Sequence, residues 1–211
     1  MLAPQTLQPL RLQVEALMPQ PQLEATLSRH LRVTPDEAEE SLIGVYLRAA
    51  ILWAEAAMHR TVVERDHEWV LADFPRTSDQ AIHLPRGKTQ AVKSIQYLSS
   101  GDVIELRGPS SGVSVEDVNF YEDLRGDEGG TLVPLAGKVW PTVTPGYPDP
   151  VVIAFTAGWS ANEIPADILH AILFAVTDAY ELRGTGDLNG GGRNLQAREA
   201  LIGAHRLERF Y

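Results

Sequence analysis

Gly108-Pro109-Ser110-Ser111-Gly112 has the G-x-S-x-G spacing of a nucleophile elbow, in which a strand feeds a sharp turn that exposes a serine and a helix follows. Strand-like sequence lies on both sides here and Pro109 sits inside the motif, so a β-turn is the expected structure. Gly87-Lys88-Thr89 matches the end of a phosphate-binding loop, but the glycine required five positions before Gly87 is replaced by Ile82. Gly184-Thr185-Gly186 followed by Gly190 is one residue too long for a dinucleotide fingerprint and comes after a helical pattern where a strand is needed. Asp187 and Asn189 begin like a calcium loop, yet Arg198 stands where the bidentate glutamate belongs.

The six histidines (30, 59, 67, 83, 170 and 205) never form an H-x-x-x-H pair, and no cysteine is present, so neither a helix-borne zinc site nor a thiolate site is supported. Glu64, Asp66 and Glu68 alternate along a strand pattern, a spacing open to acid-base work, although crowded carboxylates on a strand usually form a solvated face. The residues therefore nominate no catalytic group, no cofactor and no metal, and the expected class is a non-enzyme. Trp53, Trp69, Trp140 and Trp159 fall within apolar patterns without interleaved Lys or Arg, which suits core or interface rather than a nucleic-acid platform. At the chain end, Arg206, Arg209, Phe210 and Tyr211 are residue types that anchor interfaces. They are the candidate interface residues, with a helix end folded back on its own core as the alternative.

The elements that hold these residues follow from periodicity. Leu10, Leu12 and Val14 alternate with polar residues as a short strand in a proline-rich arm, and a short helix fits Gln22 to His30. Thr34-Pro35-Asp36-Glu37 is a helix start with Thr34 as N-cap, Pro35 at the first helical position and Glu37 completing a capping box. That helix is predicted to run to about His59, with Leu42, Ile43, Tyr46, Ala49, Ala50, Trp53 and Ala57 on its apolar face. Period-two segments follow from Thr61, with strands expected at Val92–Leu98, Val103–Leu106, Val113–Tyr121, Thr131–Leu135 and Val151–Thr156. After Pro165, Ile168, Leu169, Ile172, Leu173, Val176 and Tyr180 form a helical stripe. Gly184 to Gly192 reads as a flexible linker, and a last helix spans Leu195 to about Leu207. Tyr46, Trp53, Ile172 and Leu173 are expected to be buried.

The fold class implied is α+β: an antiparallel helical scaffold with a β-sheet domain inserted between the first long helix and the C-terminal helices. The expected divisions are 1–60 for the arm and first helices, 61–160 for the inserted β domain, and 161–211 for the closing helices with the glycine-rich loop at 184–192. Of the 211 residues, 44% are hydrophobic and 22% charged, as in ordinary globular chains. Eighteen Lys and Arg against 28 Asp and Glu give a net charge of −10, the wrong sign for a protein that grips phosphates. The first twenty residues lack the charged and apolar regions of a signal peptide. The apolar run Ala49–Met58, broken by Glu55, is well short of the roughly 20 residues that cross a bilayer, so no membrane partner is expected.

In their order, these segments resemble the head-tail connector family, the adaptor or head-completion proteins of long-tailed phages and gene transfer agents, in the version with an inserted β domain. The resemblance is collinear from about residue 20 to 211. It is carried by Leu23–Val33, Glu40–Arg60, Trp69-Val70-Leu71-Ala72-Asp73-Phe74-Pro75, Ile82–Arg86 leading into Val92–Leu98, Val139-Trp140-Pro141, Pro148–Trp159, Ile164-Pro165 with the helix to Glu181, and Arg206–Tyr211. The proline-rich arm and the insert at 184–192 depart from it.

The resemblance implies a structural protein of the virion neck, made in the host cytoplasm, that forms a dodecameric ring under the portal protein. It also implies a stopper or tail-terminator protein on the tail side and DNA passing through the channel without specific binding. It carries over no catalytic residue, and it suggests that Arg206 to Tyr211 reach the portal or a neighbouring subunit. A phage-encoded assembly chaperone and, further off, a small hydrolase stay open as alternatives.

Overall fold

The computed structural model describes residues 9–14, 21–32, 37–76, 81–109, 112, 114–147, 150–181 and 192–207. The chain is α+β, with four helices and two antiparallel sheets among the described residues, and it divides into two compact units. One comprises residues 1–15, 65–158 and 208–211 and holds the sheets; the other comprises residues 16–64 and 159–207 and holds the helices.

In the β unit, β1 (Pro9–Val14), β2 (Arg65–Leu71), β4 (Thr89–Ser99), β5 (Asp102–Leu106) and β8 (Val151–Ala157) form one sheet in the order β1-β2-β8-β4-β5. β3 (Ile82–His83), β6 (Phe120–Asp123) and β7 (Thr131–Pro134) form a second in the order β3-β7-β6. The proline-rich arm, grouped with the helices on sequence grounds, contributes its strand here instead: β1 pairs along β2 from Val14 opposite His67 to Pro9 opposite Leu71. Both sheets feed one core, in which Trp69, Leu71, Phe74, Ile82, Leu84, Ile95, Phe120, Leu132, Trp140, Ile153 and Phe155 are buried. Central β2 and β8 bury nearly every second residue and then run buried on both faces, as inner strands do.

The segment expected as one strand over Val113–Tyr121 is different. Val115–Asp117 is a single 3₁₀ turn and the strand begins only at Phe120. Asn119 is the cause, because its backbone N–H donates to the Arg107 carbonyl and its side-chain oxygen accepts from the Arg107 N–H, both at 2.9 Å or less. These bonds claim the backbone groups a continuous ladder would need. Gly129, at φ +121°, lets the chain pass the Leu84 carbonyl where a Cβ would lie 2.3 Å from its oxygen, a use of glycine for close backbone approach.

In the helical unit, α1 (Pro21–Leu31), α2 (Glu37–Met58), α3 (Ala166–Glu181) and α4 (Gly192–Gly203) pack around Leu27, Ile43, Leu47, Ile51, Ala54, Met58, Ile168, Ala171, Ile172 and Val176. Each fully buried Leu or Ile contributes about 2 kcal/mol. The capping sequence Thr34 to Asp36 lies outside the described residues, as does the glycine-rich insert from 184 to 191. Helix α2 is stopped after Met58 by His59 in the left-handed region (φ 57°), and the Glu55 carboxylate, buried, accepts the Val62 N–H at 2.9 Å. The chain is thereby turned so that Glu64 N–H bonds the Trp159 carbonyl and Trp159 N–H bonds the Val62 carbonyl, at 3.0 and 2.8 Å.

The inward face of α2 is rotated from the expected one. Ile43, Leu47, Ala50, Ile51, Ala54 and Met58 are buried, while Tyr46 and Trp53 are only half-buried and Leu42 and Ala49 are exposed. On α3, Ile168, Ile172 and Val176 are buried as the stripe predicts, whereas Leu173 is half-buried.

Candidate functional site

None of the enzymatic motifs assembles among the described residues. Ser110 and Ser111 lie outside them, but the flanks of the G-x-S-x-G stretch are β5 before and a 3₁₀ turn with β6 after, without the helix that a nucleophile elbow requires. Gly108 is there because a Cβ would press within 2.6 Å of the Phe120 ring. Thr89 is buried at the start of β4, its hydroxyl accepting the Gly130 N–H at 2.8 Å and donating to the Gly87 carbonyl, and Lys88 pairs with Asp127 at 3.4 Å. This is a fastened turn, not a phosphate cradle.

The three carboxylates of the 64–68 segment also do separate things. Asp66 accepts from Lys93 and, at 2.9 Å, from the Thr156 hydroxyl across the sheet. The Lys93 hydrogen bond is the main reason its carboxyl is held below the usual range, against a smaller opposing effect of burial. Glu64 is exposed and Glu68 half-buried on the outer face.

The histidines are dispersed. His67 is buried and stacks on Phe155 with ring centroids 5.3 Å apart; His83 bonds the Thr131 hydroxyl at 3.1 Å; His170 stacks on Phe174 at 4.3 Å; His205 meets Asp167 at 2.6 Å. No group of three His, Cys, Asp or Glu among the described residues could hold a metal ion. Trp69, Trp140 and Trp159 are core residues, and Trp53 is half-buried.

What the helical unit does build is a set of surfaces and the fastenings beneath them. Arg198 of α4 pairs with Asp178 of α3 at 3.3 Å, both about one-seventh exposed, and lies over the Trp53 ring of α2 at 5.2 Å. One guanidinium thus ties three helices. Arg198→Ala removes the charge pair and the stacked plane together and is expected to lower the stability of the helical unit by about 2 kcal/mol, checked by urea unfolding.

Beyond α4 the chain is folded back. His205 bonds Asp167 in the first turn of α3, Arg206 Nε donates to the Ala57 carbonyl at 2.9 Å, and the Leu207 N–H donates to the Met58 carbonyl at 3.0 Å, with Leu207 buried. Burial works against ionisation of Asp167, but the His205 hydrogen bond and the Ile168 N–H hold its carboxyl below the usual range. Of the four terminal candidates, Arg206 is exposed and spends its Nε on the end of α2; Arg209, Phe210 and Tyr211 lie outside the described residues.

The outer face of α2 carries Leu42 and Ala49, which helical periodicity places inward, together with three apolar residues it does not place. Leu42, Val45, Ala49, Leu52 and Ala56 follow one another at steps of three and four and are all exposed, Val45 by 47% and Leu52 by 52%. No charged residue lies on this line. Residues 40–58 are apolar enough by length and composition to cross a bilayer, yet the inner half of the helix is core. The 3-4 spacing was the signal that could have found the second stripe.

These features define a class: a helical unit and a β unit sharing one chain, with exposed apolar surface and no catalytic constellation among the described residues. No protein-family model matches the chain, and no curated protein matches it. Solved structures share its fold. A chain in the neck of an empty gene transfer agent particle, computed with C6 symmetry, superimposes with a TM-score of 0.71 at 23% identity, covering 96% of this chain and 98% of the other. Chains in the virion of a native gene transfer agent particle (TM-score 0.68, 24% identity, 95% and 97% covered) and in the neck of a native particle computed with C12 symmetry (0.67, 22%, 96% and 98%) match in the same way.

Proposed function

We propose that this chain is a structural protein of a tailed-phage or gene-transfer-agent neck, an adaptor whose copies form a ring under the portal and link it to the tail. The observation that carries this reading is the fold likeness over nearly the whole chain, both units together, to chains of gene transfer agent necks. The C6 and C12 symmetries of those necks support a homo-oligomeric ring here, dodecameric in the fuller form of the proposal. Arg206, Arg209, Phe210 and Tyr211 are the proposed contact with the portal or a neighbouring subunit, and a stopper or tail-terminator protein is the partner on the tail side. The protein acts without catalysis, in the virion neck.

The net charge of −10 suits a channel wall along which DNA moves without being held, because like charge repels the phosphate backbone. The test is the native mass of the full chain, alone and mixed with its cognate portal protein, followed by negative-stain imaging. A ring-sized species, formed alone or on the portal, is the expected result; a chain that stays monomeric and ignores the portal would favour the assembly chaperone or the small hydrolase instead.

A further inference from the structure

The five-stranded sheet ends in two edges, β1 on one side and β5 on the other, and among the described residues neither has a second strand neighbour. The hydrogen bonds around β5 show which of its backbone groups are open. Val103 lies opposite Leu98, whose N–H donates to the Pro150 carbonyl and whose carbonyl accepts the Thr144 N–H. That pair therefore exchanges no bonds, and the Val103 N–H and C=O point away from β4. The same alternation turns the backbone groups of Glu105 and Arg107 outward. Those of Arg107 are taken, because Asn119 supplies it with a donor and an acceptor as a neighbouring strand would. At Val103 and Glu105 the row runs on uncovered, along a strand exposed from Asp102 to Glu105, with Val103 68% exposed.

We infer that β5 takes β1 of a second copy along this edge, so that the sheet continues from one subunit of the ring into the next. The inference rests on the neck-ring reading and adds to it the strand pair that joins neighbours. Because each strand of the sheet runs antiparallel to the next, β1 and β5 point the same way. A head-to-tail joint between copies turned by the small angle of a many-membered ring keeps that direction, and β1 adds to β5 as a parallel strand. Charge selects this occupant over a second β5. Strand β5 carries Asp102 and Glu105, and β1 carries Arg11 as its one charged residue. Placing β5 against β5 sets like charges together, whereas β5 against β1 sets acid beside base. A ladder this short buries far less than the roughly 1,000 Å² of a free-standing interface, so the lone subunit keeps the edge open until the rest of the ring brings β1 alongside.

The experiment uses the full chain with Val103→Pro and, as its control, Val103→Thr. Proline there removes an N–H that β4 does not use, and edge strands tolerate proline at such positions. Circular dichroism and the thermal midpoint establish that each variant folds. Native mass, alone and with the cognate portal protein, then reads assembly. With wild type and Val103→Thr forming rings, Val103→Pro is expected to associate at least about tenfold more weakly; rings of unchanged yield would overturn the inference while leaving the neck reading standing.

Charge reversal identifies the occupant without touching the backbone, and it decides the matter even if Val103→Pro fails to fold. Glu105→Arg and Arg11→Glu, checked for folding in the same way, are each expected to weaken ring formation about fivefold at low salt. The double variant carrying both is expected to recover most of that loss. No recovery in the double variant would overturn β1 as the strand that seats on β5 and assign the edge to another segment. If wild type forms no ring under any condition, the neck reading falls and this contact with it.

Discussion

Trp140→Ala lowers the unfolding free energy of the β unit by about 4 kcal/mol, the range for removing a buried indole from a packed core. Trp140 is 2% exposed. Its ring stacks on Phe74 at 5.2 Å with planes 5° apart and meets Phe120 at 6.1 Å, and Phe74 in turn meets the edge of Tyr97 at 5.8 Å. The loop carrying it is held by Arg76, which donates to the Trp140 and Pro141 carbonyls and to Asp73. The indole therefore fills space that neither sheet can close alone. Urea unfolding followed by near-ultraviolet circular dichroism measures the loss, and Trp140→Phe, which keeps a stacked ring, is expected to lose less than half as much. A loss below about 1 kcal/mol for the alanine variant would mean that the two sheets hold together without this stack.

Acidification is the second large effect. Burial, reinforced by the positive charges of Arg65 and Arg86 and opposed by Asp66, lowers the His67 imidazole from 6.5 to about 4. In the unfolded chain this group takes up its proton near pH 6.5; in the folded chain it does so only near pH 4. The unfolded state thus binds more protons throughout that window, and stability falls as pH falls through it. The contribution is complete above about pH 6.5 and is lost progressively down to about pH 4, amounting to about 3 kcal/mol. Asp66 and Asp167, both shifted downward, lose their contributions in a lower window, as pH falls through their own folded values. Unfolding midpoints measured from pH 7 to 4 test this: His67→Phe, which keeps the ring stack on Phe155, is expected to flatten the upper part of the profile. A wild-type stability that does not change between pH 6.5 and 4 would contradict it.

Much of this architecture was legible in the sequence because each element signals its own period. The turn at Pro165 and the row Ile168, Ile172, Val176 gave α3 and its buried face, and strict alternation gave β4, β5, β7 and β8 to within a few residues. Helix α2 was legible as an element but not in its orientation, since apolar residues line two of its faces and periodicity cannot choose between Ile43-Leu47-Ala50-Ala54 and Leu42-Ala49. The information that decides is which face the other helices cover, and that is not local.

The same holds for β1, whose alternation marks a strand but whose partner β2 lies more than fifty residues on. It holds again for Arg198, which looks like a surface residue of a short helix until Asp178 and Trp53 are brought to it. The broken strand near Asn119 was missed because an asparagine side chain competing for backbone groups leaves no periodic trace. Of the interface candidates, Arg206 was chosen for its type, and its bond to Ala57 belongs to the fold-back that the sequence left as the alternative.

The division of the chain into units that each draw on distant segments also sets a timetable. Helix α2 ends at Met58 and the helix that covers its inner face starts at Ala166. At about 5–20 residues per second on the ribosome, α2 waits roughly 5–20 s for that partner. Throughout that interval α1 is already made but α3 and α4 are not there to complete the cover of the inner row of α2, and the outer row is bare, so the nascent chain exposes apolar surface long before it is whole, and the rate of its own synthesis becomes a determinant of how much of it survives to assemble.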